Sequence, residues 1–202
     1  MGYLIRATPL YNLIRMSVDE GSEKIVLDCG AGGSMPPLYL FHSLGYETAG
    51  VEIDERQIAK ARGFCSANNV ELNIKKGDMR SLPFGNDSFG VVYSYNSVFH
   101  MTKQDIGISV QEMIRVLKPG GFCYFNLLSV EDDGYGEGKE LNQGEFIQEE
   151  RDGEAIHSYY TDEEIDGTIR GARMAYKEKR SIYIYDDDVY HPVYLDYIVR
   201  KT

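Results

Sequence analysis

Gly30 and Gly32 stand between the apolar run Val26-Leu27-Asp28-Cys29 and the segment Ser34-Met35-Pro36-Pro37, and their spacing is the one in this chain best suited to ligand chemistry. Neither glycine has a Cβ, so the turn can adopt positive φ and a bound molecule can approach the backbone closely. A second acid follows about twenty residues past the glycines, in Thr48-Ala49-Gly50-Val51-Glu52-Ile53-Asp54, where a strand end can hold a ribose diol. Together the two segments imply an adenosine-containing ligand. A dinucleotide fit fails at its third glycine, because Met35 stands there. Pyrophosphate also needs free N–H groups at a helix N-terminus, and Pro36 and Pro37 bring none. No Gly-Lys-Ser/Thr follows, which excludes a P-loop. S-adenosylmethionine carries no phosphate; it asks only for room beside the glycines, an acid for the ribose and a polar group for the adenine.

A methyl acceptor belongs beyond the carboxyl ends of the strands, and Tyr95-Asn96-Ser97-Val98-Phe99-His100-Met101 falls there. His100 is the candidate base, a role that arises only where the nucleophile must lose a proton; the alternative is a histidine that packs at the start of the next helix. His157, with Tyr159 and Tyr160, is a further candidate for the acceptor side. The run Asp186-Asp187-Asp188 reads as a solvated turn, and no metal is expected, since consecutive acids do not by themselves build a closed shell.

The glycine turn resembles motif I of the class I S-adenosylmethionine-dependent methyltransferases (methyltransferase type 11-like), written Asp/Glu-x-Gly-x-Gly-x-Gly, with Asp28, Gly30 and Gly32 in place and Ser34 in the last glycine slot. Gly50-Val51-Glu52 resembles the family's Gly-Val-Asp. Gly77-Asp78-Met79, Leu82-Pro83-Phe84 and Asp87-Ser88-Phe89 resemble its adenine-binding loop, and Glu112 to Gly121 its turn into the fifth strand. The resemblance implies a Rossmann-like, doubly wound α/β fold with a mostly parallel seven-stranded sheet and a C-terminal antiparallel hairpin carrying one reversed strand at the edge. It also implies cofactor contacts from Asp28, Gly30, Ala31, Gly32, Glu52, Ile53, Asp78, Met79 and Tyr95, with Asp78 accepting from the adenine amino group and the Met79 backbone recognising the ring. The product would be S-adenosylhomocysteine and the acceptor a small molecule. A protein methyltransferase and a non-catalytic cofactor-binding module are the alternatives. The family commonly has Asp where this chain has Gly90, which predicts a looser start to the fourth strand.

Composition agrees with this reading. The chain of 202 residues suffices for one domain with a sheet covered on both faces, expected over 1–202. A net charge of −11 argues against a polyanionic partner such as nucleic acid. No apolar run reaches membrane-spanning length, no leader pattern opens the chain, and the scattered Cys29, Cys65 and Cys123 suit a reducing, cytoplasmic setting. Oligomeric state leaves no mark on the sequence.

Strands and helices are expected to alternate. An amphipathic helix over about 8–19 presents Leu10, Leu13, Ile14 and Val18, with Pro9 in its first turn. Strands follow at Lys24 to Cys29, Glu47 to Glu52, Glu71 to Lys76, Val91 to Ser94 and Phe122 to Leu128. Helices are expected at Met35 to Leu44, from an Asp54/Gln57 capping pair to about Asn68, and from a Thr102 cap to before Pro119. The glycine- and acid-rich stretch over about 131–153 has few apolar residues and reads as an irregular active-site cover or a disordered loop. Thr161 to Glu164 is a capping-box start, and two long strands, Ala175 to Tyr185 and Val193 to Arg200, close the chain.

Overall fold

The computed structural model describes residues 8–150, 153–185 and 189–202; Arg151, Asp152 and the triple aspartate at 186 to 188 lie outside the described residues. At the centre of the sheet runs β1 (Ile25–Cys29), parallel to β2 (Glu47–Glu52) on one side and β4 (Phe89–Ser94) on the other. β3 (Ile74–Lys76) continues the sheet beyond β2, and β5 (Leu117–Ser129) lies parallel to β4. Side chains along β1 alternate between two cores, as period two demands. Val26 joins Leu10 and Leu13 of α1 (Thr8–Asp19) and Leu38 and Phe41 of α2 (Leu38–Ser43). Leu27 and Cys29 join Ile106, Val110 and Met113 of α4 (Lys103–Val116) on the opposite face. The sheet is therefore covered on both sides, which is why its central strands are almost wholly apolar.

The helix signals act largely as their residue types dictate. Asp54 caps α3 (Glu55–Asn68) by accepting from the Arg56 N–H at 2.8 Å, while Gln57 serves through its backbone carbonyl, which accepts from Gly33. Thr102 caps α4 by accepting from the Asp105 N–H at 3.2 Å. Val18 does not join the apolar face of α1; it is 55% exposed, and the buried Ser17 turns inward to Tyr46 instead. At the start of β4 the register against β5 shifts between Phe89 and Val91. A Cβ on Gly90 would sit 2.1 Å from the Glu23 carbonyl oxygen, so glycine is what lets the two backbones pass.

β12 (Val193–Lys201) runs antiparallel to β5 and is flanked on its other side by antiparallel β9 (Ala172–Ser181). The reversed strand thus sits inside the sheet, with β9 at the margin, rather than at the edge as expected. Between β9 and β12 a small ladder joins β10 (Ile184–Tyr185) to β11 (Val189–Tyr190). The capping-box segment forms a 3₁₀ turn at Glu164–Gly167, with the Thr161 N–H donating to the Glu164 carboxylate at 2.7 Å.

The larger departure is the glycine- and acid-rich stretch. It folds as an antiparallel meander of β6 (Lys139–Asn142), β7 (Glu145–Glu150) and β8 (Gly153–Tyr160), and β8 joins the end of β5 through Leu128↔Tyr159 and Ser129↔Tyr160. Polar anchors replace the missing apolar ones. The buried Asp132 carboxylate accepts from the N–H groups of Gly134 and Val193, both at 2.8 Å, and from the Tyr190 hydroxyl at 3.2 Å. Buried Gln148 donates to the Gly134 carbonyl at 2.6 Å and accepts from the Tyr159 hydroxyl at 3.0 Å. Phe146, Tyr135 and Tyr159 pack edge to face beside them. Replacing Asp132 with Ala should cost about 2–4 kcal/mol, since it strands donors that now share a buried carboxylate. Hydrogen exchange should rise first at 131–138 and 189–193, and uniform loosening of the whole sheet would contradict this local anchoring.

Candidate active site

The β1-to-α2 turn is shaped by what crowds it. Gly30 has φ +100°, and a Cβ there would fall 2.1 Å from the Ser97 hydroxyl. A Cβ on Gly32 would meet Gln57 at 2.5 Å and the Glu52 carboxylate at 2.7 Å. The second left-handed position is Gly33, at φ +96°, one residue before the slot that Ser34 holds in the motif. Farther on, the Tyr39 and Leu40 N–H groups donate to the carbonyls of Pro36 and Pro37, so the start of α2 keeps few amides for a phosphate.

Glu52 ends β2 with both carboxylate oxygens held by backbone: one accepts from Gly32 N–H at 3.1 Å, the other from Asp54 N–H at 2.9 Å. A carboxylate has about four acceptor sites, so this clamp fixes the group and leaves capacity for two hydroxyl donors. It faces a cleft of about 590 Å³ that also receives Gly30, Ile53, Asp78, Met79 and His100. Ile53 is 58% exposed there, an apolar side chain presented where a flat ring can lie. Met79 shares the cleft.

Asp78 is engaged in a way its sequence neighbours did not advertise. Its carboxylate accepts from the Arg80 backbone at 2.9 Å and from the Arg80 guanidinium at 2.6 to 3.0 Å, and Arg80 reaches on to Asp105 of α4 at 3.2 Å. This bonding to Arg80 holds the Asp78 carboxyl below its usual range. The same i, i+2 pairing recurs at Asp54 and Arg56, so an Asp-x-Arg at a strand end was the signal that could have found Arg80.

The opposite wall comes from the meander. Glu150 of β7 and Ala155 and Ile156 of β8 line it, with Met101 and His100 from the segment after β4. That segment is fastened to β8: the Ser158 N–H donates to the Phe99 carbonyl at 3.1 Å and the Ser158 hydroxyl to the Met101 carbonyl at 2.6 Å. His157 contacts His100 edge to face, ring centres 4.8 Å apart, and bonds to Glu150 at 2.8 Å. Burial, then the neighbouring His157, pushes the His100 pKa down to about 4, against a smaller upward pull from Glu150. His100 is therefore neutral and a weak base near pH 7. Tyr159 and Tyr160, expected beside His157 on the acceptor side, are buried in the core.

Four expected cofactor residues do not border the cleft. Ala31 is fully buried with its Cβ against Gly50, Gly32 acts by binding Glu52, and Tyr95 lies on the other face of the sheet beside Tyr124. Asp28 is buried beneath the turn and accepts from the Tyr93 hydroxyl at 2.7 Å. Desolvation, resisted by that hydrogen bond and reinforced by the charge of Glu52, raises its pKa from 3.8 to about 7. Asp28 thus supports the loop that carries the glycines.

A central parallel sheet, a glycine turn after its first strand and an acid ending its second define a Rossmann-like nucleoside-binding protein. Residues 27–125 match a family model described as a methyltransferase domain. The methyltransferase GfsG of Streptomyces halstedii is 31% identical over 109 residues, 53% of this chain and 38% of that protein. The sterol 24-C-methyltransferase erg6 of Schizosaccharomyces pombe is 29% identical over 113 residues, 55% of this chain and 29% of that protein. The chain spans well under half the length of these curated relatives. In fold it resembles a SAM-dependent methyltransferase from Methanosarcina mazei, with a TM-score of 0.74, 19% identity, and coverage of 98% of this chain and 99% of the other. Over residues 27–125 the chain is similar to the class I S-adenosylmethionine-dependent methyltransferases.

The raised pKa of Asp28 fixes the sign of a pH effect. The folded chain keeps this proton up to about pH 7, whereas the unfolded chain releases it near 3.8, so stability is lost as pH rises through that window. Asp28→Asn removes the titration. Its stability relative to the natural chain should therefore rise between pH 5 and pH 8, by on the order of 2–3 kcal/mol. Urea denaturation across that range measures it, and a pH-independent difference would mean that Asp28 is ionised throughout.

Proposed function

We propose that this chain binds S-adenosylmethionine in the cleft and transfers its methyl group to a small-molecule acceptor, working in the cytoplasm. The observation that carries the reading is the Glu52 carboxylate, clamped by the Gly32 and Asp54 amides at the cleft wall with acceptor sites to spare. In this reading Glu52 holds the ribose hydroxyls, Ile53 and Met79 flank the adenine, and Asp78 takes the adenine amino group alongside Arg80. The bound cofactor supplies a methyl group already activated by a sulfonium. The protein is left to orient the acceptor and exclude water, which the Gly30 turn does from one side and Met101, Ala155 and Ile156 from the other. Among the described residues no helix is long and apolar enough to cross a membrane.

A small acceptor suits a cleft whose far wall is built from the meander, and the sterol named for the fission-yeast relative is a small molecule too. Methyl transfer from labelled cofactor into a metabolite extract should exceed transfer into protein; the reverse would favour a protein methyltransferase, and incorporation into neither a non-catalytic binding module.

Calorimetry should detect S-adenosylhomocysteine and not NAD. Glu52→Ala should weaken that binding by about 1.5–3 kcal/mol, the scale of hydrogen bonds to a charged group. Unchanged affinity in a folded Glu52→Ala protein would place the ribose elsewhere.

A further inference from the structure

Three side chains from three segments converge at the meander wall: His100 from the turn after β4, Glu150 from β7 and His157 from β8. One ligand atom of each lies within 4.8 Å of the other two. His157 Nε2 is 2.8 Å from Glu150 Oε1, and His100 Nδ1 is 3.5 Å from the same oxygen. Tetrahedral ions bound at about 2.0–2.1 Å hold their ligand atoms about 3.3–3.5 Å apart, so the His100–Glu150 separation already fits, while the His157–Glu150 pair must open by about half an ångström and the two imidazoles must draw together. Two imidazoles and one carboxylate are also the donor set that favours first-row transition ions over magnesium or calcium.

An independent observation singles out the same place. His100 Nδ1 is buried and has no hydrogen-bond partner. Buried polar atoms are normally paired, and leaving one unpaired costs stability, so an orphan aimed at a carboxylate and a second imidazole calls for an occupant. The cluster is also held in place before any ligand arrives. Ser158, next to His157, fixes the carbonyls on either side of His100 at 3.1 and 2.6 Å. Three ligands leave coordination positions open, and because His100 and Glu150 border the cleft, those positions open into it.

We propose that His100, Glu150 and His157 bind one divalent first-row transition-metal ion in the wall of the cleft, with at least one coordination position open to a small ligand bearing a nitrogen, oxygen or sulfur donor. Only the identification of that ligand with the methyl acceptor rests on the function proposed above; the metal site stands on its own geometry.

The test uses the full chain stripped of metal with a chelator. Zn²⁺ titrated calorimetrically should bind one ion per chain, with micromolar affinity or tighter. Glu150→Gln and His157→Gln should each weaken it by about a hundredfold, the upper range seen even for outer-shell substitutions. Co²⁺ in place of Zn²⁺ should give visible absorption bands, and azide, a small donor probe, should shift them by taking the open position. Both variants should still bind S-adenosylhomocysteine, which shows that they are folded and separates this site from the cofactor site. Zn²⁺ binding that is absent, or indifferent to both substitutions, overturns the metal site; Co²⁺ bands insensitive to azide overturn the open position. Loss of S-adenosylhomocysteine binding by the natural chain with Zn²⁺ binding intact would instead overturn the proposed function alone.

Discussion

The carboxyl end of the sheet is organised around one narrow passage: the Gly30 to Gly32 backbone threads between Ser97 on one side and Glu52 with Gln57 on the other. Any Cβ at either glycine would collide at 2.1 to 2.5 Å. Because the backbone fits there, its Gly32 amide can reach Glu52, and because Glu52 is reached from two amides its carboxylate is fixed at the cleft wall. Displacing the turn would move Ser97 and the segment after β4, and with them His100. The Glu52 wall and the histidine wall are therefore set by the same glycines.

Asp28 lies underneath this passage, and its role differs from what motif matching suggests. An acid at the end of β1 reads naturally as a ligand contact. Yet it is sealed under the turn against Tyr93, which is itself stacked on Phe41 of α2 at 5.0 Å. A carboxyl in that position costs stability once ionised, because burial and the charge of Glu52 both oppose the charged form.

The parallel half of the fold was legible because its signals are local and mutually reinforcing: almost wholly apolar strands, a cap at Asp54, a cap at Thr102, glycines where a strand meets a helix. The fold class, the cleft and the placement of Gly30, Glu52, Ile53, Asp78, Met79 and His100 on it all follow from that half. The meander was not legible for an equally physical reason. Sequence patterns detect strands through buried apolar faces, and β6 is exposed throughout while the stretch is tied down by buried Asp132, Gln148 and Glu145. A buried polar residue looks like a surface one until its partners are known. The close approach at Gly90 was hidden for the same cause, since the Glu23 carbonyl that demands glycine there is 67 positions away in the chain.

That division has a consequence for how the site's two functions can vary. Glu52, Ile53, Asp78 and Met79 stand at or just past the ends of parallel strands, within the segment shared with the family model. Glu150, Ala155, Ile156 and His157 stand on the meander, wholly outside that segment, and β8 pairs with β5 at two residues. Substitutions in β7 or β8 can reshape the far wall without disturbing the passage that fixes Glu52. One coupling runs through Ser158 to the Phe99 and Met101 carbonyls, so a change there would move His100 relative to the glycine turn. On the cleft's other side Arg80 makes a comparable tie, because it binds Asp78 and Asp105 together. In the proposed reading, an adenine amino group arriving at Asp78 would share a carboxylate already occupied by a guanidinium. The loop is thereby held in shape before the ligand comes, at the expense of part of the hydrogen bond the ligand would otherwise gain.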